Sequence, residues 1–378
     1  MLFSSLINQQ KSRDALLQMV KQQRLAHALL LREPEGSGGL LLAIAFATYL
    51  MCEQPGDNDA CGQCPSCQKM AQLIHPDVHF AFPVVSRKPG SEPTSDDYMQ
   101  EWREFVREFP YGDLQDWLQL IHAENRQANV TAAECREIVR KLSLKSFEGR
   151  YKILIFWLPE YLGQQGNRLL KLVEEPPDDT LMLFVSQQPQ RILSTIASRL
   201  QTVQLSPLPA EEITQALITR SQADPQMATR IGLAAGGNYR MALRLLHDAH
   251  ADWLEMLRSW LNAIAKQQIP ALVQWIDEMG SNKNGREQQK FFLQYFLNLV
   301  EKTIQAHYLL PEQLHLPEAE QDFVNRLKSQ FSFSQLCTLS ERLNAAIYQI
   351  ERNAYAKLVF HALTLYMQEL LVRPQVNA

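Results

Sequence analysis

Apolar residues without polar interruption mark the first elements of this chain. Ala28-Leu29-Leu30-Leu31 and Ile153-Leu154-Ile155-Phe156 are continuous apolar runs of strand length. Such runs predict parallel strands buried on both faces. Leu181-Met182-Leu183-Phe184-Val185-Ser186 reads as another strand. Leu41 to Leu50 is a longer apolar, helix-like run directly behind the first strand. Asn167 to Glu175 predicts a helix closed by Pro176-Pro177. Residues 1–207 therefore read as an α/β domain, a parallel sheet with flanking helices.

The pattern changes at Ser206-Pro207-Leu208-Pro209, where two prolines two apart resist any continuing element. Residues 208–247 predict a small helical lid: Ala210-Glu211-Glu212-Ile213 opens a helix and Gly236-Gly237 breaks one. Residues 248–378 predict only helices. Trp253, Leu254, Leu257, Trp260, Leu261 and Ile264 recur at helical spacing. So do Phe292, Tyr295, Phe296, Leu299 and Val300, and later Tyr355, Leu358, Val359, Leu363 and Tyr366. Ser281 to Gly285 predicts a turn between them. Apolar stripes of this kind are either core or interface, and spacing alone does not separate the two.

Pro83 to about Gln127 interrupts the α/β pattern. Its start, Arg87 to Asp97, is rich in Pro, Gly, Ser and Asp and predicts a flexible loop. Tyr98, Trp102, Phe105, Val106 and Phe109 then line one helical face, and Leu114, Trp117, Leu118 and Ile121 another. These two amphipathic helices either pack back on the domain or bind a partner.

Length and composition, with 378 residues, 46% hydrophobic and 21% charged, indicate a globular chain of two or three domains. No apolar stretch reaches about 18 residues without charge, so no membrane span is expected. The balance is slightly acidic, 37 basic against 41 acidic residues. A chain that gripped DNA alone would more often be basic. Lys141, Lys145, Arg150 and Lys152 form one modest basic candidate, weighed against an ordinary solvated face.

Glu33-Pro34-Glu35-Gly36-Ser37-Gly38-Gly39-Leu40 lies between the first strand-like run and the apolar helix. It reads like a phosphate-binding loop, G-x-x-x-x-G-K-[ST], that has lost its chemistry. Glu33 stands at the first glycine, Gly39 at the lysine and Leu40 at the magnesium-binding hydroxyl. A hydrogen bond to a charged group contributes roughly 1.5–3 kcal/mol, so loss of the lysine alone weakens phosphate binding by one to two decades. Glu33 and Glu35 add repulsion. The plain alternative is a glycine turn that never bound an anion. The strand Ile153–Phe156 also lacks the acidic pair that an ATPase uses for magnesium and water; Trp157-Leu158 follow it, and Glu160 falls later.

Four of the six cysteines, Cys52, Cys61, Cys64 and Cys67, are spaced C-x8-C-x2-C-x2-C. Met1 to Ser12 carries no basic run followed by a long apolar core, so no signal peptide is expected, and a reducing cytoplasm is. There this spacing reads as structural, tetrahedral Zn2+, against a redox pair or chance. Four thiolates leave no open coordination position for catalysis. His75, in His75-Pro76-Asp77, reads as a capping or packing residue.

With these features in place the chain resembles the clamp-loader subunits of the AAA+ class, closest to the delta-prime subunits of bacterial DNA polymerase III. The resemblance is carried by Arg24-Leu25-Ala26-His27-Ala28, the four-cysteine module, and Leu170-Lys171-Leu172-Val173-Glu174-Glu175-Pro176-Pro177. Ser198-Arg199-Leu200 is similar to the family's Ser-Arg-Cys motif with the cysteine changed, and Gly237-Asn238-Tyr239-Arg240 to its second sensor. It spans roughly residues 1 to 245. The resemblance implies an AAA+ domain, a helical lid and a helical collar joining five subunits. It implies zinc on Cys52, Cys61, Cys64 and Cys67, and no bound or hydrolysed ATP. Arg199 would reach a neighbour's ATP as an arginine finger, against the alternative of an ordinary surface ion pair. Arg240 would have lost its nucleotide. The implied partners are the motor (gamma/tau) and delta subunits, the sliding clamp and primed DNA. Two other classes stand beside this reading: an active loader ATPase, and a zinc-dependent nucleic-acid adaptor outside replication.

Overall fold

The computed structural model describes residues 1–86, 90–124, 126–247, 253–280, 286–309, 314 and 316–372. The chain divides into two compact units, Met1–Arg244 and Leu245–Ala378.

In the first unit, five parallel strands form one sheet in the order β2-β3-β4-β1-β5. They are β1 (Ala28–Arg32), β2 (Val78–Ala81), β3 (Lys152–Trp157), β4 (Thr180–Ser186) and β5 (Gln201–Gln204). Every residue of β3 and β4 is buried, as their unbroken apolar runs require. The period-two alternation divides their side chains between two cores. Leu29, Leu31, Ile153, Ile155, Leu181 and Leu183 point to one face. Ala28, Leu30, Leu154, Phe156, Met182 and Phe184 point to the other. Helix α1 (Gln10–Lys21) precedes β1, and helix α2 (Gly39–Met51) follows it. Nearly all of α2 is buried, which fits a helix apolar all round. On the opposite face Cys135, Ile138 and Leu142 of a helix spanning Ala132–Ser143 cover the sheet.

Two strands have no signal in the apolar pattern. β2 is four residues long, and β5 carries a single buried side chain, Val203, on a sheet edge. Their place is set by pairing with β3 and β1 rather than by their own composition. The stretch before Pro176 is mostly 3-10 helix, Gly163–Leu169, with one α-helical turn at Leu170–Glu174.

The 83–127 segment packs back on the domain. Its helices Met99–Glu108 and Leu114–Leu120 bring Trp102 and Trp117 into the core. The Trp102 ring stacks on Phe82 at 4.0 Å and lies 5.4 Å from Trp157, and Trp117 meets Phe82 edge-on at 5.2 Å. Residues 87–89 of the expected loop lie outside the described residues, and Ser95–Tyr98 forms a 3-10 turn. After β5 come helices Ala210–Ser221, Pro225–Ala234 and Tyr239–His247, the first beginning immediately after Pro209.

In the second unit, the described helices are Trp253–Ala265, Ile269–Met279, Arg286–Gln305, Glu318–Gln330, Phe333–Glu351 and Ala356–Val372. Trp260 stacks on Trp275 at 4.8 Å, and its indole N–H donates to Thr364 Oγ1 at 3.1 Å. Leu257, Ile264, Phe292, Phe296, Leu299, Val300, Val359 and Leu363 are core. Tyr355 and Leu358 are not: they are 62% and 66% exposed, so the last apolar stripe divides between core and surface. The turn expected at 281–285 lies outside the described residues. No described helix is long and apolar enough to cross a membrane.

Candidate functional site

Ligands of open parallel sheets bind beyond the carboxyl ends of the strands. Here that position holds the loop from Glu33 to Gly38 between β1 and α2. Its frame is that of an anion cradle. Gly36 and Gly38 have φ of +69° and +91°, in the left-handed region that favours glycine, and the amides at the start of α2 lie beyond them.

The cradle is filled by the protein itself. The Glu33 carboxyl accepts the Gly39 N–H, at the helix start where a phosphate oxygen would sit in a working loop. A Cβ on Gly39 would collide with that same carboxyl, so a lysine here would have to displace the Glu33 side chain. Glu33 is fully buried, and this burial, together with nearby Glu160, pushes its carboxyl up to about 8. A neutral acid at the helix start avoids the cost of burying an unpaired charge. Leu40, at the hydroxyl position, is buried in the core.

Glu160, which falls after β3 in sequence, returns to the same sheet end. Its Oε1 accepts the backbone N–H groups of Gln187 and Gln188, each at 3.1 Å, and burial raises its pKa. The expectation of no acidic pair directly at the end of β3 holds in sequence. The fold nevertheless places one acid nearby and engages it with backbone.

Four other residues close the loop. The Tyr111 ring lies on Gly38, where an added Cβ would approach Tyr111 Cε1 to 2.7 Å. The Tyr111 hydroxyl accepts the Ile7 N–H at 2.8 Å. The Asn238 side chain fills the space at Gly36, and the Tyr239 N–H donates to the Gly36 carbonyl at 3.2 Å. Gln9 donates to the Ser37 and Ser206 carbonyls at 3.2 and 2.7 Å.

Arg240, the sensor-like arginine, faces Asp116 of the inserted segment. Its Nε and Nη2 donate to the two Asp116 oxygens at 2.7 and 2.6 Å, the paired fork that an arginine makes with a carboxylate. Arg244 donates to Asp113 and Asp116 at 2.9 and 2.8 Å. The Phe109 ring lies 4.9 Å from the Arg240 guanidinium carbon. Burial works to raise the Asp116 pKa, but hydrogen bonds and charge from Arg240 and Arg244 outweigh it and hold the carboxyl below its ordinary value. Tyr111, Asp113, Asp116 and Arg244 were missed in the sequence. A usable signal existed: Asp113 and Asp116 lie one helical turn apart, as do Arg240 and Arg244, so each pair shares a helix face.

Arg199 lies elsewhere and is 39% exposed, paired with Glu174 at 2.5 Å and donating to the Thr195 carbonyl at 2.6 Å. Leu200, in place of the family cysteine, is buried against the sheet.

The basic candidate at 141–152 does not form a patch. Lys152 is 5% exposed, and its ammonium donates to the Leu142 and Leu144 carbonyls, each at 2.6 Å. Lys141 pairs with Asp96 at 2.5 Å. As the first residue of β3, Lys152 caps the end of the Ala132–Ser143 helix instead of facing solvent.

The sulfurs of Cys52, Cys61, Cys64 and Cys67 lie within 4.8 Å of one another. Cys61 and Cys67 Sγ are 3.9 Å apart. A tetrahedral site with Zn–S of about 2.3 Å spaces its sulfurs about 3.8 Å apart, so the donor set fits a four-thiolate structural metal. Backbone N–H groups point at the sulfurs: Cys61 N to Cys52 at 3.3 Å, Cys64 N to Cys61 at 3.3 Å and Cys67 N to Cys64 at 3.4 Å. Such donors favour thiolate, and those from Gln63 and Cys64 bring the Cys61 thiol down to about 6. His75 is not among the ligands; its Nδ1 accepts the Asp77 N–H at 3.2 Å, a packing and capping role.

Comparison with known proteins follows the same lines. A family model described as DNA polymerase III, delta subunit, matches residues 8–209. The DNA polymerase III subunit delta' of Pseudomonas aeruginosa is 28% identical over 253 residues, covering 65% of this chain and 63% of that protein. That of Bacillus subtilis is 28% identical, covering 56% and 52%, and that of Escherichia coli 26% identical, covering 66% and 67%. The matched region thus spans between half and two thirds of these relatives. Among solved structures, a gamma subunit-related protein of Thermotoga maritima aligns with a TM-score of 0.40 at 13% identity, covering 95% of this chain and 99% of that one. On the family match and the relatives together, this chain belongs to the DNA polymerase III delta subunit family, among its delta-prime clamp-loader members.

Proposed function

We propose that the chain is the stator of a DNA polymerase III clamp loader. In this role it helps load the sliding clamp onto primed DNA, hydrolyses no ATP itself, and lends Arg199 to the ATP site of a neighbouring subunit. Its partners are the motor (gamma/tau) and delta subunits, with clamp and DNA engaged through the assembly in the cytoplasm. Residues 1–207 serve as the AAA+ domain, 208–247 as lid and 248–378 as collar, and Zn2+ on the four cysteines holds the 52–67 module.

The reading rests first on Glu33. Its carboxyl on the Gly39 N–H occupies the anion position of the loop, and a lysine at residue 39, which ATP hydrolysis needs, would have to displace it. Arg199 supports the second half. It is exposed, and its ion pair with Glu174 is of the surface kind, worth about 0–1 kcal/mol, so it is cheaply released to another partner. A guanidinium placed at a γ-phosphate in trans neutralises charge that spreads over the transferring group.

The test is reconstitution with the motor and delta subunits of the same organism, reading clamp- and DNA-stimulated ATP hydrolysis. Wild type restores turnover, and Arg199→Ala assembles without restoring it. Hydrolysis by the isolated chain would sink the stator reading, and failure to assemble would leave the zinc adaptor. Metal analysis of the pure chain returns one zinc, lost in Cys64→Ala.

A further inference from the structure

We infer that the 83–127 segment is a built-in substitute for nucleotide. Its Asp113 and Asp116 hold Arg240 and Arg244 as phosphate oxygens would, and so fix the lid helices to the sheet domain without any ligand.

Three observations carry this. First, the contact has the geometry of oxyanion recognition. Asp116 takes both Nε and Nη2 of Arg240 and one nitrogen of Arg244, and Asp113 takes the other end of Arg244. Two carboxylates balance two guanidiniums within the cluster. Second, the segment also covers the loop itself, because Tyr111 lies on Gly38 and meets Tyr239 of the lid edge-on at 5.0 Å. One stretch of chain therefore touches the phosphate loop and the sensor arginine together, which is what a bound nucleotide would do. Third, the acids are not needed to bury the segment. Trp102, Phe105 and Trp117 anchor it in the core. Asp113 and Asp116 are instead set by their own capping box, Asp113 N to Asp116 and Asp116 N to Asp113, each at 3.0 Å. That box orients both carboxylates by contacts within their own segment.

The physical consequence is a change in what controls the lid. A lid held by a diffusible ligand opens whenever the ligand leaves, and its population follows ligand concentration. A ligand surrogate tethered to the same chain is present at a constant, high effective concentration. The lid of this chain is thus locked in one state throughout any nucleotide cycle of its neighbours. This rests on the reading that the frame itself holds no nucleotide.

Hydrogen exchange on the full chain tests the lock. Asp116→Asn and Arg240→Ala are each expected to speed exchange in the helices Ala210–Ser221, Pro225–Ala234 and Tyr239–His247 about tenfold or more, leaving β3 and β4 unchanged. Combining them adds little, since both remove one interaction. Arg240→Lys keeps the charge, loses the fork and provides the same reading should either variant fail to fold. Lid exchange unaltered in the variants, or raised equally in lid and sheet, would overturn the lock. ATP is added to the wild type in parallel: a gain of lid protection would overturn the nucleotide-free reading, whereas silent variants beside an ATP-silent wild type would overturn the lock alone.

Discussion

The loop at Glu33–Leu40 and the corner at Arg199 belong to one domain and have opposite relations to solvent. At the loop the protein's own groups fill the frame: Glu33 on Gly39, Tyr111 on Gly38, Asn238 at Gly36, and Arg240 on Asp116. Asp116 is 2% exposed. At the corner, Arg199 is 39% exposed and held by one carboxylate, itself 44% exposed. A buried, mutually satisfied cluster is costly to disturb, while an exposed pair exchanges partners at little cost. The groups at the loop are turned on one another, whereas the Arg199 guanidinium faces solvent.

The largest effect expected from breaking this contrast is in trans. Arg199→Ala should lower turnover of the assembled loader about 10³-fold or more, yet shift the folding stability of the chain by less than about 0.5 kcal/mol. A reconstituted ATPase assay beside a melting curve measures both. Equal loss of activity and stability would make Arg199 a structural residue.

Asp116→Ala should behave in the reverse way, costing up to about 3–5 kcal/mol because it leaves the largely covered Arg240 guanidinium, 15% exposed, without its carboxylate. Hydrogen exchange in the helices Ala210–Ser221, Pro225–Ala234 and Tyr239–His247 reads the loss, with β3 and β4 as the unchanged reference. The structural reason is local, since Arg240 and Arg244 share this one acceptor.

Glu33 gives a pH signature. Its carboxyl ionises near 4.5 when unfolded and at about 8 when buried in the folded chain. Between those values the folded state binds more protons, so Glu33 makes stability fall as pH rises from about 4.5 to about 8. The slope reaches ~1.4 kcal/mol per pH unit at its steepest. Glu33→Gln should flatten that part of the profile. An unchanged profile would mean that Glu33 is ionised in the fold.

The smallest effect tests the loop directly. Gly39→Lys restores the residue of a working loop but meets the Glu33 carboxyl, and should destabilise by about 1–3 kcal/mol without creating ATP binding. Glu33→Gly in the same chain should relieve the strain. Calorimetric titration with ATP and a thermal melt check both statements; ATP binding by the single variant would show that the frame is still open.

Much of this was legible in the chain. The runs 28–31, 153–156 and 181–186 became β1, β3 and β4 because a strand buried on both faces must be apolar throughout. The cysteine spacing brought four sulfurs together because the intervening chain is short. Lys152 was misjudged, since a lysine beside other lysines reads as surface until the fold gives its ammonium two carbonyls. The amphipathic helices of 83–127 left two outcomes open, and the stacking of Trp102 on Phe82 and against Trp157 decided for packing back on the domain.

The sequence by itself determined the central sheet strands, the metal-type cysteine set, the loss of the loop lysine and the family. These are properties of residue type and of neighbours a few positions apart. Only the tertiary structure decided what fills the loop. The Glu33 to Gly39 contact depends on a turn, and the Asp116 to Arg240 pair joins residues 124 positions apart. Which acid meets which arginine is fixed by packing between elements, and packing has no period along the chain.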